Sequence, residues 1–99
     1  MFVHTVYFYT RPHTPAAAID QLEADCRAFL AKIPGVRQFF TGRPAMTPRE
    51  VVDNSYAVGL TVILDDAAAH DAYQTHDLHL QFIARNKAHW QRVQVYDFK

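Results

Sequence analysis

The sequence has little of several features that mark specialised classes of protein. It has one cysteine, so the chain cannot form an internal disulfide, and Cys26 is expected to pack in the core of a protein from a reducing compartment. Three glycines are too few for a glycine-rich phosphate loop, which disfavours nucleotides as ligands. Ten basic residues balance ten acidic ones, so no charge excess is available to attract nucleic acid or anionic lipid.

Long apolar runs are also missing. No stretch approaches the roughly 20 residues of a membrane-spanning helix, and residues 1–5 lack the charged and apolar regions of a secretory signal. We therefore expect no membrane partner and a cytoplasmic location. A length of 99 residues is typical of one domain, and we predict that residues 1–99 form a single one.

The hydrophobic periodicity switches repeatedly between that of a strand and that of a helix. Strands are predicted over residues 2–9, 36–42, 56–64 and 93–98. Helices are predicted from the Thr14 cap and Pro15 to Pro34, from Asp65 or Asp66 to Tyr73, and from an Asp77 cap through Leu78 to Trp90. The order βαββαβ predicts an α+β, ferredoxin-like fold with a four-stranded antiparallel sheet and its helices on one face.

The first strand carries no charge on either of its two sides. Its even-numbered residues share one side, and its odd-numbered residues, including Tyr7 and Tyr9, share the other. A solvated sheet face normally presents alternating polar groups, and the helices can cover only one face. We therefore predict a homodimer in which two sheets meet face to face across a two-fold axis.

The segment from Tyr73 to His79 sets a phenol and two imidazoles three residues apart, near the predicted helix boundary. On the following helix His79 lies on a mostly apolar face that points inward. The positive end of the helix dipole disfavours an imidazolium in the first turn, so His79 is expected to be neutral near pH 7. A core histidine that is hydrogen-bonded to a carbonyl explains the same pattern.

These residue types are suited to acid/base chemistry. A neutral imidazole, here His79, takes a proton from a carbon acid, while a phenol with a reference pKa of about 10, here Tyr73, donates a hydrogen bond to the enolate oxygen. Further contacts to a small carbonyl or aromatic compound are predicted from His76, Val58, Leu60, Phe82, Ile83 and Trp90. This predicts a cofactor-independent cyclase, lyase or isomerase. The same sequence is expected if Tyr73 and His79 only form a structural hydrogen bond between helix and sheet and have no catalytic role.

The same region also contains groups that can bind a metal. His70, His76 and His79 with Asp77 supply ligating groups, but His70 and His76 are poorly spaced for one helix face, and no His-x-x-x-His or thiolate pair is present. We predict no metal.

Nearly the whole chain resembles the stress-responsive α/β-barrel family, the dimeric group that includes the plant olivetolic acid cyclase. The matching features are Val3 to Phe8, Ile33 to Val36, Gly42, the Tyr73-x-x-His76-x-x-His79 segment, and Trp90 to Phe98. The resemblance implies a dimeric α/β barrel with a pocket between sheet and helices in each protomer. It places Tyr73 and His79 in the acid/base roles and His4 on the pocket wall. Asp77 replaces a proline that relatives often carry.

The sequence is also compatible with two further functions. The first is a non-catalytic dimer that binds a metabolite or a partner under stress. The second is a haem-binding or monooxygenase-like protein of the wider dimeric barrel superfamily, for which a histidine ligand in an aromatic pocket would be suitable. The acid/base prediction needs no cofactor.

Overall fold

The fold is described by a computed structural model that covers all residues, Met1–Lys99. Its strands are β1 (Phe2–Thr10), β2 (Gln38–Gly42), β3 (Val58–Leu64) and β4 (Trp90–Phe98), and its helices are α1 (Ala16–Ala28), α2 (Ala67–Thr75) and α3 (Asp77–Asn86). Single 3-10 turns at Leu30–Lys32 and Lys87–His89 follow α1 and α3. The strands form one antiparallel sheet in the order β2-β3-β1-β4. The predicted α+β, ferredoxin-like arrangement is confirmed.

The start of α1 differs from its prediction. Pro15 is the N-cap residue and supplies no side-chain cap. The hydroxyl of Thr14, predicted to cap the helix, donates instead to the backbone carbonyl of Arg11 at 2.6 Å. The prediction was wrong because the preceding turn uses this hydroxyl, and the fixed φ of proline begins the helix without it.

The junction between α2 and α3 also differs in detail. Asp66 caps α2 by accepting from the backbone N–H of Ala69 at 2.9 Å. At the next helix His76, not Asp77, is the N-cap, and its ring Nδ1 accepts from the backbone N–H of Leu78 at 3.1 Å. Asp77 is the first residue of α3, where its carboxylate is favourable near the positive end of the helix dipole.

The last helix is shorter than predicted, because the final strand begins earlier. α3 ends at Asn86, and Trp90 already pairs with Thr10 of β1 across a register shift.

The predicted start of β3 at Tyr56 was also wrong. The strand begins at Val58. The ring of Tyr56 packs edge-on against Tyr7, with ring centres 4.8 Å apart. Tyr56 therefore lies on the opposite face of the sheet from the one predicted.

The hydrophobic core lies between one face of the sheet and the three helices. On β3 the even-numbered side chains are buried and the odd-numbered ones are partly exposed, as the alternating pattern predicts. The core comprises Phe2, Val6, Phe8, Leu22, Cys26, Leu30, Ile33, Val58, Leu60, Val62, Leu64, Tyr73 and Phe82. The sheet and helices therefore enclose the segment that holds the candidate site.

The opposite face of the sheet remains open. Because the helices pack on the other face, Tyr7 and Thr61 are only partly buried, and Phe40 and Tyr96 are both 60% exposed. This face is rich in aromatic groups, and no helix of the chain covers it. None of the helices has the length and apolar character required to cross a membrane.

Candidate functional site

A cavity of about 120 Å³ lies between the inner face of the sheet and helices α2 and α3. Ten of its thirteen lining residues are hydrophobic, so it can exclude water from a bound group. The lining consists of His4, Val6, Phe8, Leu30, Leu60, Tyr73, Gln74, His79, Phe82, Ile83, Trp90, Val93 and Val95. β4 is an edge strand, and Val93 and Val95 are 39% and 40% exposed, so the cavity approaches the surface at this edge.

Tyr73 and His79 meet in this cavity. Tyr73 is in α2 and is buried, while His79 is in the first turn of α3. Their rings are edge to face, with centres 5.1 Å apart and an interplanar angle of 72°. The Nδ1 atom of His79 is buried and has no hydrogen-bond partner in the chain. A buried polar atom without a partner costs about 1–3 kcal/mol, so a ligand that supplies the missing hydrogen bond would be favoured.

The surroundings hold both groups in their neutral forms at pH 7. Burial lowers the pKa of His79, and the neighbouring imidazoles of His4 and His70 lower it further. Burial also raises the pKa of Tyr73 above its usual value. The site therefore combines an imidazole that can accept a proton with a phenol that keeps its proton for donation.

His4 is the third polar group on the cavity wall. It lies directly opposite Asp97 in the pairing of β1 with β4, and its Nδ1 is 2.6 Å from Asp97 Oδ1. The hydrogen bond fixes the ring in place, with Nδ1–H as the donor to the carboxylate. Burial lowers the pKa of His4, although the hydrogen bond to Asp97 acts in the opposite direction. His4 reaches the edge of Tyr73, with ring centres 5.8 Å apart.

The aromatic end of the cavity is built around Trp90. Its ring packs against Phe8 and Phe82, with ring centres 4.8 Å and 5.9 Å away. The indole Nε1 is buried and has no partner in the chain. Two residues of the cavity lining thus carry a buried polar atom without a partner in the chain, Trp90 Nε1 and His79 Nδ1.

The family relationship follows from the comparison of this fold and sequence with known proteins. Residues 2–99 match the family model described as the stress responsive A/B barrel domain. The chain belongs to this family. None of the curated proteins is significantly similar to the sequence.

Solved structures of similar fold include another member of this family, whose short name is Dabb. A Dabb family protein from Mesorhizobium loti superposes with a TM-score of 0.79 at 23% identity, covering 99% of this chain and 94% of that one. A dimeric ferredoxin-like protein from Thermobifida fusca gives a TM-score of 0.82 at 18% identity, over 98% and 88% of the chains. A hydroxynitrile lyase from Passiflora edulis gives 0.79 at 14% identity, over 98% and 90%. At these identities the likeness establishes the fold.

Seven of the nine predicted site residues line the cavity, and two do not. Val58 is fully buried in the core, away from the cavity lining. His76 is at the start of α3, where its ring caps the helix. The structure does not bring these two residues to the cavity, because core packing uses the side chain of Val58 and helix capping uses that of His76.

The sequence reasoning missed other residues of the lining. Val93 and Val95 share a face with Phe8 and Val6 because β4 pairs with β1 in this register. The alternation of Val93 and Val95 in the sequence was the available signal. Gln74 was missed although it is adjacent to Tyr73, because nothing in the local pattern distinguishes an amide on the cavity wall from one in solvent.

Proposed function

We propose that the protein binds a small apolar carbonyl or aromatic compound in the cavity and catalyses a proton transfer on it. The observation that carries this proposal is the meeting of Tyr73 with His79, whose Nδ1 is buried and unpartnered, at an apolar cavity. Groups that are buried, neutral and not engaged with one another by a hydrogen bond are available to a ligand.

In the proposed reaction His79 acts as the general base. Its neutral imidazole accepts a proton from a carbon next to the substrate carbonyl, and general-base catalysis of this kind typically contributes about 10²- to 10⁴-fold. Tyr73 donates its phenolic hydrogen to the oxygen on which negative charge develops. The raised pKa of Tyr73 keeps that proton in place at neutral pH, so the phenol stabilises the enolate without being consumed.

The size and lining of the cavity limit the substrate. A volume of about 120 Å³ is close to that of an engineered apolar cavity of about 150 Å³ that accepts benzene. One aromatic ring or a short acyl chain fits, with its polar atoms directed to His79, Tyr73 and the indole of Trp90. The neighbour named as a hydroxynitrile lyase is consistent with small-molecule chemistry on this fold.

The proposed working form is a homodimer. The open face of the sheet carries exposed Phe40 and Tyr96, and neighbours from Thermobifida fusca and Bacteroides fragilis are described as dimeric. Face-to-face packing of two sheets would bury this aromatic surface.

Activity measurements with two substitutions test the catalytic proposal. The wild type is screened with β-keto thioesters and with small phenolic and keto acids. His79→Ala is expected to lose about 10²- to 10⁴-fold in kcat/KM, and Tyr73→Phe to lower kcat while the fold is kept. His13→Asn is the matched control, since His13 is exposed and has a positive φ that asparagine tolerates.

The possible results separate the proposed enzyme from a binding protein. Turnover that survives both His79→Ala and Tyr73→Phe would remove these residues from the mechanism. Binding of the compounds without turnover, weakened in His79→Ala, would identify the cavity as a non-catalytic binding site and contradict the proposed reaction.

A further inference from the structure

A second cluster of polar side chains lies beside the cavity. It is formed by His4 of β1, His70 of α2 and Asp97 of β4, which are far apart in the sequence. One ligand atom from each residue lies within 4.8 Å of the others. The set supplies two imidazole nitrogens and one carboxylate oxygen, the ligand types that zinc and similar transition metals bind.

The three side chains are close enough to share one ion after a modest rearrangement. His4 Nδ1 is 2.6 Å from Asp97 Oδ1, and His70 Nε2 is 3.9 Å from Asp97 Oδ2. Ligands that each lie about 2.1 Å from one zinc ion are within roughly 4 Å of each other. If the His4 proton moves from Nδ1 to Nε2 and the partly exposed Asp97 rotates, the hydrogen bond between them is replaced by two bonds to one ion, which His70 then completes.

The hydrogen bonds of His70 provide a second, independent observation. Its Nδ1 is 3.2 Å from the carboxylate of Asp71, so Nδ1–H is the donor in that pair. The lone pair is then on Nε2, which accepts from the side-chain amide of Gln74 at 3.3 Å and also faces the carboxylate of Asp97. A carboxylate that orients a histidine through its second nitrogen is the usual outer-shell arrangement around a metal-bound histidine.

The charge of the cluster also favours a cation. With both imidazoles neutral, the three side chains carry one net negative charge from Asp97. His70 Nε2 and a carboxylate oxygen of Asp97 are 3.9 Å apart. A cation placed between them would be attracted to both and would replace the amide of Gln74 as the partner of Nε2. Stacking on Phe2, with ring centres 4.4 Å apart, holds the His70 ring in this position.

We propose that His4, His70 and Asp97 form a binding site for one divalent transition metal ion of the zinc class. Three protein ligands leave at least one position open for water or a small anion. The side chain of His70 is partly exposed, so the ion can enter from solvent. This site is additional to the proton-transfer function proposed above, in which His79 and Tyr73 act without a metal.

Metal titration of the untagged, chelator-treated full chain tests the proposal. Zn²⁺ binding is measured by calorimetry, and Co²⁺ is used as a spectroscopic probe of the ligands. We expect one ion per chain in the wild type. His70→Phe keeps the aromatic stacking but removes the ligand, and it should weaken Zn²⁺ binding by at least 100-fold. Asp71→Asn should weaken it by about 10- to 100-fold, and His13→Asn should leave it unchanged.

Thermal unfolding provides a readout that is independent of activity. Saturating Zn²⁺ should raise the Tm of the wild type, because an ion that binds only the folded state stabilises it, and should leave the Tm of His70→Phe unchanged. The Tm measured without metal shows whether each variant is folded. Absence of one-to-one binding in the wild type, or equal binding in folded His70→Phe, would overturn the proposal.

Discussion

The phenol of Tyr73 and the imidazole of His79 meet edge to face with ring centres 5.1 Å apart because the helix breaks between them. Six residues along a continuous helix would separate the two positions by about 9 Å along the axis and place them on different faces. At His76 the backbone is extended, with a ψ of 145°, and the chain turns there from α2 into α3. The helix break therefore creates the pair.

The first prediction concerns the cap that starts α3. His76→Ala removes the ring nitrogen that accepts from the N–H of Leu78, and loss of an N-cap typically costs about 0.5–2 kcal/mol. His76→Asn keeps an acceptor at this position and should retain most of the free energy of unfolding. Urea denaturation measures both variants. If His76→Ala is as stable as the wild type, the ring does not serve as the cap.

The second prediction concerns the dependence of stability on pH. The pKa of His79 is lowered by burial and by the nearby His4 and His70, and burial also lowers the pKa of His4. The unfolded chain therefore binds more protons than the folded one at pH values between the lowered folded pKa and about 6.5. The free energy of unfolding should be highest above pH 6.5, should fall as the pH falls through the folded pKa, and should then level off.

The matched variants for this experiment are His79→Gln and His13→Asn. His79→Gln should show a shallower fall in the free energy of unfolding between pH 7.5 and 5, with the contribution of His4 retained. His13→Asn should follow the wild type. Identical slopes for His79→Gln and the wild type would show that the pKa of His79 is not lowered in the folded state.

The third prediction concerns the open face of the sheet. Tyr7→Lys places a charge in the proposed dimer interface, where an unpaired buried charge costs several kcal/mol. Sedimentation velocity at micromolar concentration should show a dimer for the wild type and a monomer for this variant. Leu80→Lys, on the exposed surface of α3, should remain dimeric. A monomeric wild type, or a dimeric Tyr7→Lys, would disprove this interface.

The fourth prediction separates the core from the cavity. Val58 is fully buried outside the cavity, so Val58→Ala should lower the free energy of unfolding by about 1.5–3 kcal/mol. It should leave the affinity for a small aromatic ketone such as acetophenone unchanged. Val95→Ala, on the cavity wall and partly exposed, should cost less stability and alter that affinity. The reverse pattern would mean that the cavity is assigned to the wrong residues.

The sequence predicted those parts of the fold that depend on local periodicity. The alternation from Val58 to Leu64 identified β3 and its buried face, because a strand turns successive side chains to opposite faces. The resemblance to the barrel family placed Tyr73, His79 and His4 near one another. Their catalytic and binding roles remain predictions.

Other features depend on contacts that no local pattern encodes. Asp97 lies opposite His4 only because β4 pairs with β1 in one particular register, across 93 positions of the sequence. The cluster of His4, His70 and Asp97 therefore could not be found from ligand spacing, which grouped His70 only with residues near it in the sequence and predicted no metal. Val58 shows the same limit, since periodicity identifies a buried face but not which of its residues border a cavity.

The most direct test of the proposed binding site uses the indole of Trp90. This residue is the only tryptophan in the chain, so its Nε1–H gives a single, assignable nitrogen–proton NMR signal. Titration with acetophenone, and then with the β-keto thioesters and the small phenolic and keto acids of the activity screen, should shift this signal together with the ring signals of His79. If these compounds bind and leave the Trp90 indole signal unmoved, the cavity between the sheet and helices α2 and α3 is not the binding site.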